Sequence, residues 1–267
     1  MKKIIAFLLG AALLAGCALN LVTGRKQLSL VNESDLRLMA VAQYNTFLTE
    51  NKVLNPGNNR DAALVDNVGA RISNAIATYF VKEGKPTVLE GYKWEFNTID
   101  DKSVVNAWCM PGGKVVVYTG LLPIAQNETG LAVVMGHEIA HSVAKHGNER
   151  MSQALVQQMG GMALQVALSQ KPQETQDLFM MTYGIGSEVG AMLPWSRQQE
   201  TEADQYGLIF IAMAGYDPRE ALPFWQRMSE TGGAKPPEFL STHPSDQTRL
   251  RKLQQFIPEA MKYYKPN

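Results

Sequence analysis

The stretch of sequence that decides the fold reads Leu131-Ala132-Val133-Val134-Met135-Gly136-His137-Glu138-Ile139-Ala140-His141. It ends in the spacing H-E-x-x-H. An α-helix turns about 100° per residue, so side chains four positions apart lie on one face of the helix. The imidazoles of His137 and His141 therefore point the same way and can bind one zinc ion. Apolar residues before and within the motif predict a buried helix.

Glu138 follows His137 directly, and this position predicts a general base. Zinc lowers the pKa of a bound water to roughly 7. A neighbouring carboxylate can then take the proton of that water and later deliver it to the leaving amine. The motif therefore predicts a zinc metalloendopeptidase with one zinc ion per chain.

A third protein ligand is needed, because two histidines leave a catalytic zinc site one ligand short. The segment Ser196-Arg197-Gln198-Gln199-Glu200-Thr201-Glu202-Ala203-Asp204 supplies one. Glu200 and Asp204 are four residues apart and share a helix face. Glu200 could ligate zinc, and Asp204 could accept an N–H from a ligating histidine. Glu202 is out of phase with both. An acidic helix is usually a solvated face, but an upstream H-E-x-x-H favours the ligand interpretation.

H-E-x-x-H followed by E-x-E-A-D resembles the HtpX and CAAX-prenyl-protease family of gluzincin metallopeptidases, peptidase family M48. The resemblance covers roughly residues 35–255 and extends to exported bacterial members such as BepA and LoiP. It implies that His137, His141 and Glu200 hold the metal, that Glu138 is the base, and that Asp204 is the supporting aspartate. We expect an α+β, mainly helical fold of the zincin type, with a small β-sheet beside the H-E-x-x-H helix.

Two late residues extend the resemblance. Thr242-His243-Pro244, with Arg249 six residues after the histidine, is similar to a His-Pro segment of that family. The resemblance implies that His243 and Arg249 face the metal site and stabilise the tetrahedral intermediate. In some exported members this histidine can also approach the zinc and block it. Without the family, a loop histidine and a surface arginine would be the preferred interpretation.

The segment from Asn106 and Ala107 to Lys114 resembles the edge strand and turn that precede the catalytic helix in this family. An exposed strand edge can bind an extended peptide through main-chain hydrogen bonds, with loose sequence specificity. A simple hairpin is the alternative. His146, five residues after His141, is out of phase for ligation, so a solvated or supporting role is expected.

The N-terminus has the features of a lipoprotein leader. Lys2 and Lys3 precede an apolar stretch, residues 4–14, that is short for a transmembrane helix. Leu14-Ala15-Gly16-Cys17 then resembles a bacterial lipobox. We predict a signal peptide at 1–16, a lipidated Cys17 with a tether at 17–34, and the metallopeptidase domain at 35–267. A plain secretory leader is the alternative.

Composition excludes some function classes. Twenty-five Lys and Arg balance 25 Asp and Glu, so no basic excess points to nucleic acid. Cys17 and Cys109 are the two cysteines. If Cys17 is acylated, Cys109 has no intramolecular partner, and the fold must rely on its core.

Apolar spacing predicts helices over residues 33–48 and 61–80, strands over 92–99 and 114–118, and mostly helix after residue 128. The apolar stretches 154–168 and 179–195 read as packed helices, or as a methionine-rich cover over the active site.

The motif thus predicts an endopeptidase, and the family resemblance implies that it cuts unfolded or misassembled envelope proteins. Ala18, not Asp, follows Cys17, and by resemblance to lipoproteins of two-membrane bacteria this implies a lipid anchor at the periplasmic face of the outer membrane. Two alternatives stay open. One is a lipid-anchored chaperone or assembly factor with little proteolysis, and the other is a structural metal-binding lipoprotein.

Overall fold

The computed structural model describes residues 16–159, 175, 177–178, 182, 196–231, 237–243 and 247–266. The predicted leader, apart from Gly16, lies outside the described residues. So do Pro244 and most of the apolar stretches 154–168 and 179–195.

Helices dominate the described part of the chain, as the apolar spacing predicted. They are α1 (Glu33–Glu50), α2 (Arg60–Lys82), α3 (Leu122–Ala125), α4 (Glu128–Val143), α5 (His146–Met159), α6 (Arg197–Met213), α7 (Ala221–Glu230), α8 (Glu238–Thr242) and α9 (Gln247–Ala260). Short 3₁₀ turns occur at Pro86–Leu89, Thr119–Leu121 and Pro218–Glu220. None of the helices described is long and apolar enough to cross a membrane.

Six short strands form two sheets in the described residues. They are β1 (Cys17–Leu19), β2 (Lys26–Leu28), β3 (Val53–Leu54), β4 (Glu95–Ile99), β5 (Ala107–Met110) and β6 (Lys114–Tyr118). The larger sheet has the order β3-β4-β6-β5. Strand β6 pairs parallel with β4 and antiparallel with β5, so β5 is an edge strand. The sheet packs beside α4, where Ser142 Oγ donates to Met110 O at 3.1 Å. The expectation of a mainly helical α+β fold with a small sheet is confirmed.

The segment predicted as a tether, residues 17–34, contains the first two strands. Strands β1 and β2 form an antiparallel hairpin with Cys17 opposite Leu28. Asn20 and Gln27 are buried, and the Asn20 side chain donates to Ala144 O at 2.5 Å. The hairpin therefore docks on the C-terminal end of α4 through Asn20 and Gln27, whereas Cys17–Leu19 are exposed.

Helix α4 lies at the centre of the core. Every residue from Gly130 to Val143 is buried. Its start is fixed by Asn127, whose side chain accepts from Gly130 N, which satisfies a main-chain donor that the helix leaves unpaired. Helix α6 crosses it closely and starts with a capping box between Ser196 and Gln199.

The crossing of α4 and α6 depends on two glycines. A Cβ added at Gly136 would lie 2.4 Å from Ile211 Cγ2, and a Cβ at Gly207 would lie 3.0 Å from His137 N. Side chains at these positions would push the helices apart. The helix that carries His137 and the helix that carries Glu200 are thus held in direct backbone contact.

Candidate active site

The two histidines of the H-E-x-x-H motif face the same buried space, as their helical phase predicted. His137 and His141 are each 2% exposed. Their Nε2 atoms lie 3.1 Å apart. Both rings therefore present a nitrogen to one point.

Glu200 reaches this point from helix α6. Its Oε1 lies 3.2 Å from His141 Nε2, and its Oε2 lies 3.7 Å from His137 Nε2. The close crossing of α4 and α6 makes this approach possible, because Glu200 lies two helical turns before Gly207 on the same face. The residues that the sequence predicted as metal ligands are brought together.

His243, which follows helix α8, adds a fourth donor. Its Nδ1 lies 3.1 Å from His137 Nε2 and 3.0 Å from Glu200 Oε1. Phe239 stacks on its ring with centroids 4.3 Å apart, which fixes the ring plane. His137, His141, Glu200 and His243 each offer one atom, and these atoms lie within 4.8 Å of one another.

The donor set fits zinc on two observations. Four atoms in a tetrahedron around zinc, each roughly 2.0 Å from it, are roughly 3.3 Å from one another, close to the separations seen here. Glu200 Oε2 also makes no hydrogen bond of good geometry within the described residues, although it forms an ion pair with Arg249 Nη1 at 2.8 Å. Two imidazoles and a carboxylate, with a fourth position, make up the ligand set of a catalytic zinc.

Glu138 lies beside this group but is not part of it. The carboxyl is 3% exposed, and its Oε1 makes no hydrogen bond with any described residue. The nearest donor, His243 Nε2, lies 3.4 Å from Oε1. Burial, and then the charge of Glu200, raise the pKa of Glu138 well above its ordinary value. A buried carboxyl with an unsatisfied oxygen next to the ligands is placed to accept a proton from water.

The ionisation of the ligands also suits a metal. Burial lowers the pKa values of His137 and His141 well below the ordinary value, so both rings are neutral. Burial would raise the pKa of Glu200, but His243 and Arg249 together bring it well below its ordinary value. Neutral imidazoles and a charged carboxylate are the forms that bind zinc.

Asp204 and Arg249 support the ligands from behind. Asp204 Oδ1 lies 3.0 Å from His137 Nδ1, the ring nitrogen that faces away from the ligand group. Arg249 donates to both Asp204 oxygens at 2.8 Å and lies 2.8 Å from Glu200 Oε2. Its guanidinium also stacks over Trp225 at 3.6 Å from the ring centroid. Arg249 is therefore held between two carboxylates. Its contact with Trp225 could not be predicted from the residue pattern.

His146 supports the other histidine. The side chain is fully buried, its Nδ1 lies 3.0 Å from His141 Nδ1, and its Nε2 lies 2.9 Å from Glu202 Oε2. Of the two roles expected for His146, the structure places it in the supporting one and excludes a solvated one. Glu202 faces away from the ligand group, as its helical phase predicted.

Strand β5 presents one main-chain edge. Asn106 O accepts from Tyr118 N at 3.1 Å. Bonded pairs alternate along antiparallel strands, so the N–H and C=O of Ala107 and Cys109 point away from β6. The Asn106 side chain accepts from Ala107 N at 2.8 Å and donates to Glu238 at the start of α8. Because Val105 O also accepts from Phe239 N, the edge lies beside the segment that carries His243.

Comparison with known proteins adds an independent finding. Residues 71–257 match the description Peptidase family M48. The chain is 39% identical over 174 residues to the mitochondrial metalloendopeptidase OMA1 of Schizosaccharomyces pombe, which covers 64% of this chain and 49% of that protein. It is 30% identical over 252 residues to the human mitochondrial metalloendopeptidase OMA1, covering 90% of this chain and 46% of that protein.

A bacterial protein is also similar. The β-barrel assembly-enhancing protease of Escherichia coli is 28% identical over 152 residues, which covers 55% of this chain and 31% of that protein. The chain spans about half the length, or less, of the curated relatives it matches.

Proposed function

The chain belongs to peptidase family M48, and from this premise we propose that it is a zinc-dependent endopeptidase. His137, His141 and Glu200 hold the metal, and Glu138 is the general base. The observation that carries the proposal is the convergence of these ligand atoms, within 4.8 Å of one another, beside the buried Glu138, whose Oε1 has no hydrogen bond to any described residue.

Each residue has a definite task in hydrolysis. Zinc, when bound, polarises the scissile carbonyl and makes water acidic. Glu138 takes the proton from the attacking water and transfers it to the leaving amine. Asp204 fixes the ring of His137 by accepting from Nδ1–H, and Arg249 holds Asp204 and Glu200 in place.

His243 has two tasks in this proposal. With Nδ1 inside the ligand group, it fills the fourth position and restrains the resting enzyme. When it leaves that position, the ring stays beside Glu138, where an N–H can stabilise the oxyanion of the tetrahedral intermediate. Arg249 contributes positive charge to the same intermediate from its place between the carboxylates.

The substrate binds as an extended strand along β5. The outward main-chain partners are Ala107 O and the N–H and C=O of Cys109, because Ala107 N already donates to the Asn106 side chain. Recognition therefore depends on the main chain of the substrate more than on its side chains. This favours unfolded or misassembled proteins as substrates, which expose extended segments. The name of the Escherichia coli relative, a protease that enhances β-barrel assembly, supports the same class.

The location follows from the N-terminus. The lipobox-like Leu14-Ala15-Gly16-Cys17 and the exposed Cys17 support a mature chain that begins at a lipidated Cys17, with the metallopeptidase domain at 35–267. Ala18 supports sorting to the periplasmic face of the outer membrane, where the protein serves quality control. Within the M48 family, this assigns the chain to the exported lipoprotein branch, although several relatives of similar sequence carry mitochondrial names.

Digestion of casein by the purified chain tests the function. We expect cleavage that a zinc chelator abolishes and added zinc restores, with internal fragments in the products. The Glu138→Gln protein is the matched control, because it keeps the ligands and removes the base. Casein that is bound but left intact by zinc-loaded protein would contradict the proposal and favour a chaperone.

A further inference from the structure

A series of polar side chains, buried at His141 and His146 and half-buried at Glu202 and Arg25, runs from the proposed ligand His141 to the N-terminal hairpin. It consists of His141, His146, Glu202 and Arg25, and we call it the relay. The mechanism proposed above uses only its first member. The relay crosses four separate parts of the chain: helices α4, α5 and α6, and the turn between β1 and β2.

The proton pattern of the relay has one consistent direction. His141 directs Nε2 to the ligand group, so a neutral ring carries its proton on Nδ1. That N–H can donate to His146 Nδ1, at 3.0 Å. His146 must then carry its own proton on Nε2 and donate it to Glu202 Oε2, at 2.9 Å. A carboxylate thus supports His141 through a second imidazole, whereas Asp204 supports His137 directly.

Local backbone geometry places His146 under His141. Helix α4 ends at Val143, and Lys145 adopts φ 55°, in the left-handed region that residues other than glycine rarely enter. This turn reverses the chain so that α5 begins at His146. The hairpin covers the same turn, because Asn20 and Gln27 donate to Ala144 O.

Arg25 completes the relay. Its Nε and Nη2 lie 2.7 and 3.2 Å from the two oxygens of Glu202. Its other edge donates to Glu149 at 2.6 and 2.7 Å, and Glu149 also accepts from Gln199 at 2.9 Å. A forked guanidinium between two carboxylates is a geometry that lysine cannot reproduce. Arg25 therefore holds the rotamer of Glu202 and, through it, the ring of His146.

We propose that Arg25 is a positioning residue for the metal centre, acting through Glu202 and His146 on the ligand His141. Docking of the N-terminal hairpin then raises the zinc affinity of the site. This inference rests on the proposed function, because it takes His141 as a zinc ligand. It goes further in making the segment next to Cys17 part of the centre.

The test measures zinc affinity, not activity, by competition with a chromogenic chelator on the purified full chain. Loss of a residue that orients a ligand typically costs 10–100-fold in metal affinity. We expect His146→Ala and Glu202→Gln to fall in that range. Arg25→Ala should lose several-fold to about tenfold, since it acts at one remove, and Arg25→Lys should lose less than Arg25→Ala.

A double variant separates action through the relay from general damage. If Arg25 acts through His146, Arg25→Ala combined with His146→Ala binds zinc no more weakly than His146→Ala alone, whereas independent effects would add. Arg71→Ala is the control. Arg71 also pairs with a carboxylate, Glu128, and donates to a main-chain oxygen, but far from the ligands. The Arg71→Ala protein should bind zinc as tightly as the wild type does.

Two outcomes overturn the inference in different ways. If the wild type binds zinc and both Arg25→Ala and Arg25→Lys bind it as tightly as the wild type does, the relay does not position His141. The proposed function then still stands. If the wild type fails to bind zinc at all, the proposed function fails as well. Should Arg25→Ala not fold, Arg25→Lys and Glu202→Gln still decide the question.

Discussion

Gly207 of helix α6 lies directly against the backbone of His137 in helix α4: a Cβ at Gly207 would be 3.0 Å from His137 N and 3.1 Å from Gly136 C. This contact sets the separation of the helix that bears two ligands from the helix that bears Glu200. The geometry of the site is therefore a consequence of how closely two helices cross.

Gly207→Ala should damage both stability and zinc binding. In an exposed helix, glycine to alanine stabilises by about 1 kcal/mol. Here the methyl group meets backbone atoms that cannot rotate away, and overpacking of this kind costs about 1–3 kcal/mol. We expect a lower unfolding temperature and weaker zinc binding. Gly57→Ala is the control, because its closest contact is the exposed Asn55 side chain. Equal behaviour of the two variants would show that the crossing tolerates a side chain.

Removal of one ligand should empty the metal site. Glu200→Ala or His141→Ala removes one of the three residues proposed to hold zinc throughout the reaction, and His243, which leaves the group in the active enzyme, does not replace it. Occupancy after purification should therefore drop from one ion per chain to a small fraction. Metal analysis of each purified protein measures it. Glu259→Ala, which removes a surface carboxylate, should keep full occupancy. Full occupancy in both ligand variants would refute the assignment.

Glu138→Gln should keep zinc and lose hydrolysis. Glutamine has nearly the same shape but cannot carry the proton from water to the leaving amine, and general base catalysis contributes about 10²–10⁴-fold. Initial rates on casein and zinc content, measured on the same preparation, check both halves. A variant that digests casein at the wild-type rate would remove Glu138 from the mechanism.

His243→Ala should raise basal cleavage. In the proposed function His243 Nδ1, which lies 3.0 Å from Glu200 Oε1, would occupy the fourth position of a bound zinc, and its loss would leave that position open to water. Turnover on one unfolded substrate, normalised to zinc content, is the measurement. A fall of about a hundredfold would instead assign His243 to oxyanion stabilisation alone. Rates and zinc content equal to wild type would mean that the segment is only structural.

Arg249→Ala should lower both turnover and zinc content. Its removal leaves Glu200 and Asp204 as buried carboxylates without their counter-charge, and breaking a buried pair of this kind costs about 3–5 kcal/mol. Thermal unfolding and metal analysis measure the two effects. An Arg249→Ala protein with normal stability and normal zinc would show that the carboxylates do not need it.

Mature protein purified from membranes of the native host should begin at a lipidated Cys17. Intact mass and the mass of the N-terminal peptide check this. Cys17→Ser should remain in the soluble fraction and still digest casein. A mature chain that starts elsewhere, or carries an unmodified Cys17, would contradict the anchor.

The convergence of His137, His141 and Glu200 could be predicted from the sequence because it follows helical phase. His137 and His141 share a face of one helix, and Glu200 and Asp204 share a face of another, so spacing alone brings each pair into register. The helices α1 and α2 and strand β6 likewise follow the period of their apolar residues. Residues that recur at the period of a helix can be recognised in a sequence, and these helices show that spacing.

The hairpin and the relay could not be predicted in the same way. Strands β1 and β2 have three residues each, too short for an apolar alternation to show. Arg25 lies among polar residues that are typical of a linker, and its partners Glu149 and Glu202 are 124 and 177 positions away. The stacking of Arg249 on Trp225 is equally non-local. Contacts of this kind leave no periodic pattern in the residues that make them.

The positions of the site residues along the chain also determine the order in which they are synthesised. A ribosome delivers His137 and His141 well before Glu200, and His243 comes 106 positions after His137. A growing chain therefore contains His137 and His141 for a long interval before it contains Glu200 or His243. During that interval Arg25 of the N-terminal hairpin also lacks its partner Glu202. The proposed ligand group can therefore assemble only after Glu200 and His243 have been synthesised, so a nascent chain that ends before them lacks the complete group.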